Sequence, residues 1–132
     1  MIEHPQNRLH REETLVEGKL LRYTFVLGPL ANNAFLWVAP KLKEALLIDA
    51  PAGIEALVLP YLEQHQSRLQ ATLLTHGHFD HIGGLQALKS LDAPVYGHKD
   101  DLGLIQHPYS PYYPHIHTPP GYIDHFLEGG EE

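Results

Sequence analysis

The sequence predicts an α/β fold in which a mixed β-sheet carries helices on one of its faces. Three observations indicate this fold class. Three strand-like runs separated by turn residues come first, the hydrophobic period then changes to that of a helix, and helix and strand patterns alternate afterwards. A chain of 132 residues, 43% of them hydrophobic and 19% charged, has the size of one domain with one hydrophobic core.

The three consecutive strands are expected to form an antiparallel start to the sheet. The first two contain several aromatic and β-branched residues, the third is a buried apolar run, and each contains or ends at Gly or Pro; the runs are 19–28 (KLLRYTFVLG), 33–40 (NAFLWVAP) and 44–53 (EALLIDAPAG). In the third run, Asp49 follows the apolar stretch directly. Residues 1–18 are polar and aperiodic, and we interpret them as a loose N-terminal lead-in that ends at most in a short strand.

A helix–strand–helix–strand alternation follows. The first helix has apolar residues at i, i+3, i+4, i+7 and i+8: Ile54, Leu57, Val58, Tyr61 and Leu62. Pro60 lies inside this pattern, and we expect a kink there.

The next three elements complete the alternation. Residues 71–75 (ATLLT) read as a short buried strand, 83–92 (GGLQALKSLD) as a helix with Asp80 as its cap, and 93–98 (APVYGH) as another strand. We expect the half domain formed by these elements to span residues 19–106. Residues 107–132 are rich in Pro and His, have no regular period, and are expected to form an irregular tail.

Composition excludes several classes of function. A formal net charge of −7 argues against nucleic acid as a partner, because phosphate binding needs clustered Lys and Arg. No apolar stretch is long enough to span a membrane, and the N-terminus has no apolar signal core, so we expect a cytoplasmic protein. The sequence has no cysteine, so a bound metal must be held by His and carboxylate side chains.

The segment 75–84, THGHFDHIGG, predicts a metal site. It places His76, His78, Asp80 and His81 within six positions, directly after a buried strand. Residues two apart in an extended segment point the same way, so His76 and His78 can grip one ion together. Asp80 and His81 follow the turn toward the next helix and face the same cavity. Imidazole and carboxylate ligands suit Zn²⁺, and also Fe or Mn.

The segment LLTHGHFDHIGGLQAL (73–88) resembles the signature of the metallo-β-lactamase superfamily, especially its glyoxalase II-like (hydroxyacylglutathione hydrolase-like) hydrolases. The resemblance extends to NNAFLWVAPKLKEALLIDAPAG (32–53), which is similar to the family's opening hairpin, and to LDAPVYGHKDD (91–101). It implies half of a four-layer αβ/βα sandwich, the N-terminal half, because the family fold repeats this unit.

The resemblance implies roles for five residues. His76 and His78 match ligands of the first metal, and Asp80 and His81 match ligands of the second, so one or two zinc ions are expected. Asp80 would also help to orient the attacking hydroxide, which makes it the catalytic candidate. Asp49 matches an aspartate that either orients a ligand imidazole from behind or is only a turn residue at a strand end.

The remaining ligands of the family come from its second half: a third His for the first metal, an Asp that bridges both metals, and a final His. We therefore expect a truncated chain with an incomplete site. Residues 117–121 (HTPPG) resemble a ligand loop of the family, but Tyr122 stands where the ligand His would be. His115, His117 and His125 could replace a missing ligand, although solvated loop histidines are the more ordinary interpretation.

Three functions remain open. The first is hydrolysis of an ester or thioester, such as a glutathione thioester; the others are a zinc-binding module without catalysis and a mononuclear iron dioxygenase of the same fold acting on persulfides. Each has a small molecule or a metal ion as its ligand, and metal content separates them. Because helices cover only one face of the sheet, we also expect a homodimer or a complex with a complementing C-terminal half.

Overall fold

The computed structural model describes residues 7–27, 30–75, 79–108 and 118–127. Its centre is one seven-stranded sheet whose spatial order follows the chain. The strands are β1 (Arg8–Val16), β2 (Leu20–Leu27), β3 (Asn32–Ala39), β4 (Glu44–Ile48), β5 (Arg68–Leu73), β6 (Val95–Gly97) and β7 (His125–Phe126). Strands β1 to β4 pair antiparallel, and β4 to β7 pair parallel. This mixed sheet with helices confirms the predicted α/β class.

The helices lie in the connections of the parallel half. Helix α1 spans Ile54–Gln64 and helix α2 spans Leu102–Gln106, with short 3-10 helices at Phe79–His81, Ala87–Leu91 and Lys99–Asp101. Helix α1 follows Gly53, whose φ of 91° favours glycine. It runs through Pro60 to Gln64 and buries Ile54, Val58 and Leu62, as its period predicts.

Two segments differ from the prediction. The lead-in contains β1, a nine-residue strand at the edge of the sheet, whose side chains are mostly exposed; a strand without a buried face has no hydrophobic alternation to reveal it. The tail contributes β7, which has only two residues.

The predicted helix over 83–92 is wrong in type. The segment is a series of turns that ends in the 3-10 helix Ala87–Leu91. Leu85, Leu88 and Leu91 are spaced three apart, which is the repeat of a 3-10 helix. Asp80 is not its cap either: the residue before the 3-10 helix is Gln86, which makes no side-chain capping bond.

The two faces of the sheet are unequal. One face is mostly buried and forms the core with α1, α2 and the segment 82–91; its cross-strand neighbours include Tyr23, Leu36 and Leu47. The opposite face carries apolar side chains that are only half-buried: Val26, Phe35, Trp37, Leu46, Ile48 and Leu73. We call these six residues the open face. Among the residues described above, no helix is long and apolar enough to cross a membrane.

The second glycine of the 83–84 pair fixes the packing of the turn on the sheet. The Gly84 amide donates to the Ala50 carbonyl at 2.7 Å, and a Cβ at Gly84 would lie 2.5 Å from the Pro51 carbonyl oxygen and 2.7 Å from Ile54 Cγ2. A backbone oxygen cannot move aside as a side-chain end can. This position therefore requires glycine because of close approach.

We predict that Gly84→Ala lowers the free energy of unfolding by about 1–3 kcal/mol, as overpacking of a closed contact does. Urea unfolding measures the change. Gly103→Ala is the matched control, because nothing lies within 4 Å of a Cβ at Gly103 inside α2; it should be neutral or stabilise by up to about 1 kcal/mol. Equal effects of the two substitutions would contradict the close-packing interpretation.

Candidate functional site

Three strand ends meet at one edge of the sheet. Strands β4 and β5 run parallel, so their carboxyl ends lie side by side and are followed by Asp49 and Thr75. Strand β3 is antiparallel to β4, so its first residue, Asn32, lies at the same edge. Sites in open α/β sheets gather at the carboxyl ends of the strands.

Asp49 is the centre of the hydrogen bonding at this edge. Its side chain is only 4% exposed, and its backbone has a φ of 64°, a left-handed conformation that Asp tolerates better than most residues. The Thr75 amide donates to Oδ1 at 2.8 Å, and the Thr75 hydroxyl donates to Oδ2 at 2.6 Å. His81 Nδ1 lies 3.0 Å from Oδ2. Both carboxylate oxygens of Asp49 are therefore engaged.

The pKa of each partner indicates how the proton is shared. Burial raises the pKa of Asp49, but hydrogen bonds from His81 and Thr75 outweigh burial and hold the pKa below its ordinary value. An ionised carboxylate only accepts hydrogen bonds. Nδ1 of His81 therefore carries the proton and donates a hydrogen bond to Asp49. Burial lowers the pKa of His81, and the hydrogen bond and charge of Asp49 reverse this, so that the pKa lies above its ordinary value.

His81 presents its other ring nitrogen toward Asp80. The His81 carbonyl accepts a bond from the Ala50 amide at 2.9 Å, which fixes the turn against β4. Nε2 of His81 lies 3.6 Å from Oδ2 of Asp80, and the two side chains are 16% and 15% exposed. A ring nitrogen of His81 and a carboxylate oxygen of Asp80 thus lie close together, partly exposed, at this edge of the sheet.

Asn32 holds Asp80 in place. Its Nδ2 donates to Oδ2 of Asp80 at 2.7 Å and to the Asp80 carbonyl at 3.0 Å. Sequence reasoning missed both Asn32 and Thr75. One feature of the sequence could have indicated Asn32. It is a polar residue at a core-facing position of β3, because it alternates with Ala34, Leu36 and Val38, which are buried on the same face.

The arrangement fits a metal centre in its chemistry. A histidine that donates Nδ1–H to a buried carboxylate has its Nε2 lone pair available as a ligand, which is the usual carboxylate–histidine–metal arrangement. The structure brings Asp49, Asp80 and His81 together, while His76 and His78 lie outside the described residues; the metal roles of these residues stay predictions. Within the described ranges, no three His, Asp or Glu side chains form a group that could hold an ion. A complete site therefore needs further ligands.

The other candidate histidines add nothing to this group among the described residues. His125 is exposed in β7 and stacks on Tyr96 with ring centroids 4.9 Å apart; His115 and His117 lie outside the described residues. Tyr122 is half-buried against the core, with the Lys89 ammonium 4.9 Å from its ring centroid. Its position favours a packing role.

Comparison with known proteins gives consistent matches. The family model of the metallo-beta-lactamase superfamily matches residues 27–132. A hydroxyacylglutathione hydrolase of Marinomonas sp. (strain MWYL1) is 28% identical over 114 residues, which cover 79% of this chain and 44% of that protein. The chain thus spans less than half the length of this relative.

Solved structures with the same fold are similarly longer. The B3 metallo-beta-lactamase BLEG-1 superposes with a TM-score of 0.66 at 28% identity, covering 82% of this chain and 53% of that one. TTHA1623, in a di-iron-bound form, superposes with a TM-score of 0.63 at 33% identity, covering 81% of this chain and 54% of that one.

We predict that Asp49→Asn weakens zinc binding about 10–100-fold, the usual effect of removing a partner of a ligand histidine. An amide cannot accept from all three donors, so the least costly arrangement has its NH₂ donating to His81 Nδ1, which moves the ring proton to Nε2. Stability should fall by about 1–3 kcal/mol. Competition with a chromophoric chelator and urea unfolding measure the two effects.

Asp92→Asn is the matched control for this substitution. Asp92 is also a left-handed aspartate, with a φ of 56°, but it is exposed at the end of a 3-10 helix. Zinc affinity equal in the two variants would show that Asp49 does not act through His81.

Proposed function

Because the chain belongs to the metallo-beta-lactamase superfamily, we propose that it acts as a metal-dependent hydrolase on an ester or thioester, such as a glutathione thioester. The observation that carries this proposal is the Asp49–His81 hydrogen bond, which places an oriented imidazole beside the Asp80 carboxylate. The similarity to a hydroxyacylglutathione hydrolase supports the thioester class.

Four residues of this chain would hold the metal: His76 and His78 one ion, and Asp80 and His81 a second. Bound there, zinc would lower the pKa of a water molecule and polarise the scissile carbonyl. Asp49 fixes the ring orientation of His81 and keeps the proton on Nδ1. Asp80, at the rim, is placed to accept a hydrogen bond from the attacking water and so to orient it. The two carboxylates would thus act on different groups, Asp49 on the imidazole of His81 and Asp80 on the attacking water.

Metal content separates this proposal from the two alternatives. Two zinc ions per chain favour the hydrolase, one iron favours the persulfide dioxygenase, and a single weakly held ion favours a zinc-binding module without catalysis. The similarity to TTHA1623, described in a di-iron-bound form, supports iron as a possible occupant of the same ligands. Elemental analysis of the purified chain, with oxygen uptake in the presence of a persulfide, distinguishes the three.

The open face supports a second proposal, which concerns the partner. Trp37 and Leu46 are cross-strand neighbours on this face, and the Arg22 guanidinium lies 5.6 Å from the Trp37 ring centroid. Apolar area left in water costs about 25 cal/mol per Å², so association across this face is favourable. We propose that two copies of the chain pair through it; a complementing C-terminal half is the alternative occupant.

We predict that the zinc-loaded chain hydrolyses a glutathione thioester at a rate barely above background. Each ion would have only two ligands from this chain, so the water that it binds would be poorly placed for attack. The double variant His76→Ala, His78→Ala should lose the ion that these two histidines would hold, and with it this residual rate. Spectrophotometric assays with the thioester and with a β-lactam measure both activities.

Three results would contradict the hydrolase proposal: thioester cleavage that survives the double substitution, cleavage of the β-lactam in preference to the thioester, or zinc stoichiometry that the substitutions leave unchanged. Asp100→Ala, an exposed carboxylate beside His98, serves as a control for nonspecific loss of zinc.

We predict that light scattering at micromolar concentration reports about twice the monomer mass of 14.9 kDa. Leu46→Glu should yield a monomer, because it places a charge in the middle of the open face. Leu42→Glu is the matched control, since Leu42 is 69% exposed in the β3–β4 turn. The fluorescence of Trp37, the single tryptophan of the sequence, should shift to shorter wavelength as the chain associates.

A monomer that binds no hydrophobic dye would overturn the pairing proposal. A monomer that binds the dye, and that loses dye binding after Leu46→Glu, would instead favour the complementing half as the occupant of the face.

A further inference from the structure

We infer that Asn32 is a positioning residue that sets the orientation of the Asp80 carboxylate for metal binding. The inference rests on the proposed function for the role of Asp80 and goes beyond it by assigning a role to a residue outside the THGHFDHIGG segment. Asn32 lies 48 positions before Asp80 in the chain, and two hydrogen bonds join the residues.

The chemistry of the contact leaves one arrangement for the amide. A backbone carbonyl and a carboxylate can only accept, so the group that faces them must be the NH₂ of Asn32 rather than its oxygen. Its two N–H groups are used on the same residue, one on the Asp80 carbonyl at 3.0 Å and one on Oδ2 at 2.7 Å. Asn32 therefore fixes the backbone of Asp80 and its side-chain rotamer together.

The backbone around Asn32 also positions this residue for its contact with Asp80. Asn32 pairs with Leu27 as the last step of the β2–β3 ladder, on the face that is otherwise apolar. Ala31, immediately before it, has a φ of 51°, a left-handed conformation that is unfavourable for alanine. A polar residue at a core-facing position after a strained alanine has no local reason to be there, and the bonds to Asp80 provide one.

The consequence falls on the two carboxylate oxygens of Asp80. Oδ2 is committed to Asn32 and lies 3.6 Å from His81 Nε2. Asn32 thus holds Oδ2 on the side of His81 and leaves Oδ1 without a bond from Asn32, so the contact defines which oxygen faces the imidazole. Without Asn32 the carboxylate can rotate, and its oxygens exchange positions.

The test compares substitutions at two adjacent asparagines. Asn32→Asp keeps the shape but removes both donors, and Asn32→Ala removes the side chain without adding charge. Asn33→Asp and Asn33→Ala are the controls, because Asn33 is exposed on the opposite face, paired with Val26. For each variant of the 132-residue chain, Zn²⁺ affinity is measured by competition with a chromophoric chelator, and the Co²⁺ absorption spectrum reports ligand geometry.

Both Asn32 variants should bind Zn²⁺ about 10–100-fold more weakly than the unsubstituted chain, the effect typical of losing a partner of a metal ligand. Their Co²⁺ spectra should change, while both Asn33 variants keep the original affinity and spectrum. Urea unfolding shows separately how much stability each variant loses. A merely structural Asn32 would lower stability and leave the affinity and spectrum of the folded chain unchanged.

A change of affinity below threefold in the Asn32 variants would overturn the inference. So would a loss in Asn32→Asp alone, because it would reflect added charge and not lost donors. Zinc binding with no zinc-dependent thioester hydrolysis above background leaves the role of Asn32 standing and removes the hydrolase proposal. Absence of zinc binding by the unsubstituted chain overturns both.

Discussion

The buried carboxylate of Asp49 is the interaction on which the candidate site depends. It accepts bonds from the amide and hydroxyl of Thr75 and from His81 Nδ1, and so ties the end of β4 to the end of β5 and to the turn that follows. A buried carboxylate is costly unless its oxygens are hydrogen-bonded. The donors come from two segments, Thr75 at the end of β5 and His81 in the turn that follows, so the native arrangement of both offsets the cost of burying Asp49.

The topology of the sheet determines which residues can join this interaction. Parallel pairing of β4 and β5 brings two carboxyl ends to one edge, and antiparallel pairing of β3 and β4 brings the start of β3 there. Asn32, Asp49 and Thr75 are therefore neighbours although they are far apart in the chain. Gly84 then closes the turn onto the Ala50 and Pro51 carbonyls, which leaves no room for a side chain and holds His81 against Asp49.

Hydrophobic period predicted the elements that have one buried side. Strands β2, β3 and β4 and helix α1 were predicted near their observed bounds, because each turns a regular apolar set toward the core. Strand β1 lacks such a set, so hydrophobic period predicts a loose lead-in where the structure has a strand. The leucines of segment 83–92 are buried as predicted, but a strict spacing of three belongs to a 3-10 helix, which periodicity alone did not separate from an α-helix.

The residues of the candidate site likewise fall into two groups, those that the sequence indicates and those that it does not. Local spacing indicated Asp80 and His81, and the structure places them together with Asp49, which the resemblance had singled out. Asn32 and Thr75 could not be found by local spacing, because their partners lie 48 and 26 positions away. Such contacts depend on the order and direction of the strands, which a single sequence predicts poorly. The metal roles of His76, His78, Asp80 and His81 remain predictions.

Two aspartates of the site show how environment separates roles for one side chain. The side chain of Asp49 is almost inaccessible to solvent. Both of its oxygens accept hydrogen bonds, from three donors in all, and one of these bonds orients His81. Asp80 is at the rim, where one oxygen accepts from Asn32. If Asp80 were buried and saturated like Asp49, it could not bind an ion without breaking hydrogen bonds. If Asp49 were at the rim, water would replace its donors and His81 would lose the contact that fixes its tautomer. The depth of each carboxylate is therefore the physical difference on which the proposed roles depend, with Asp49 orienting His81 and Asp80 acting as a ligand.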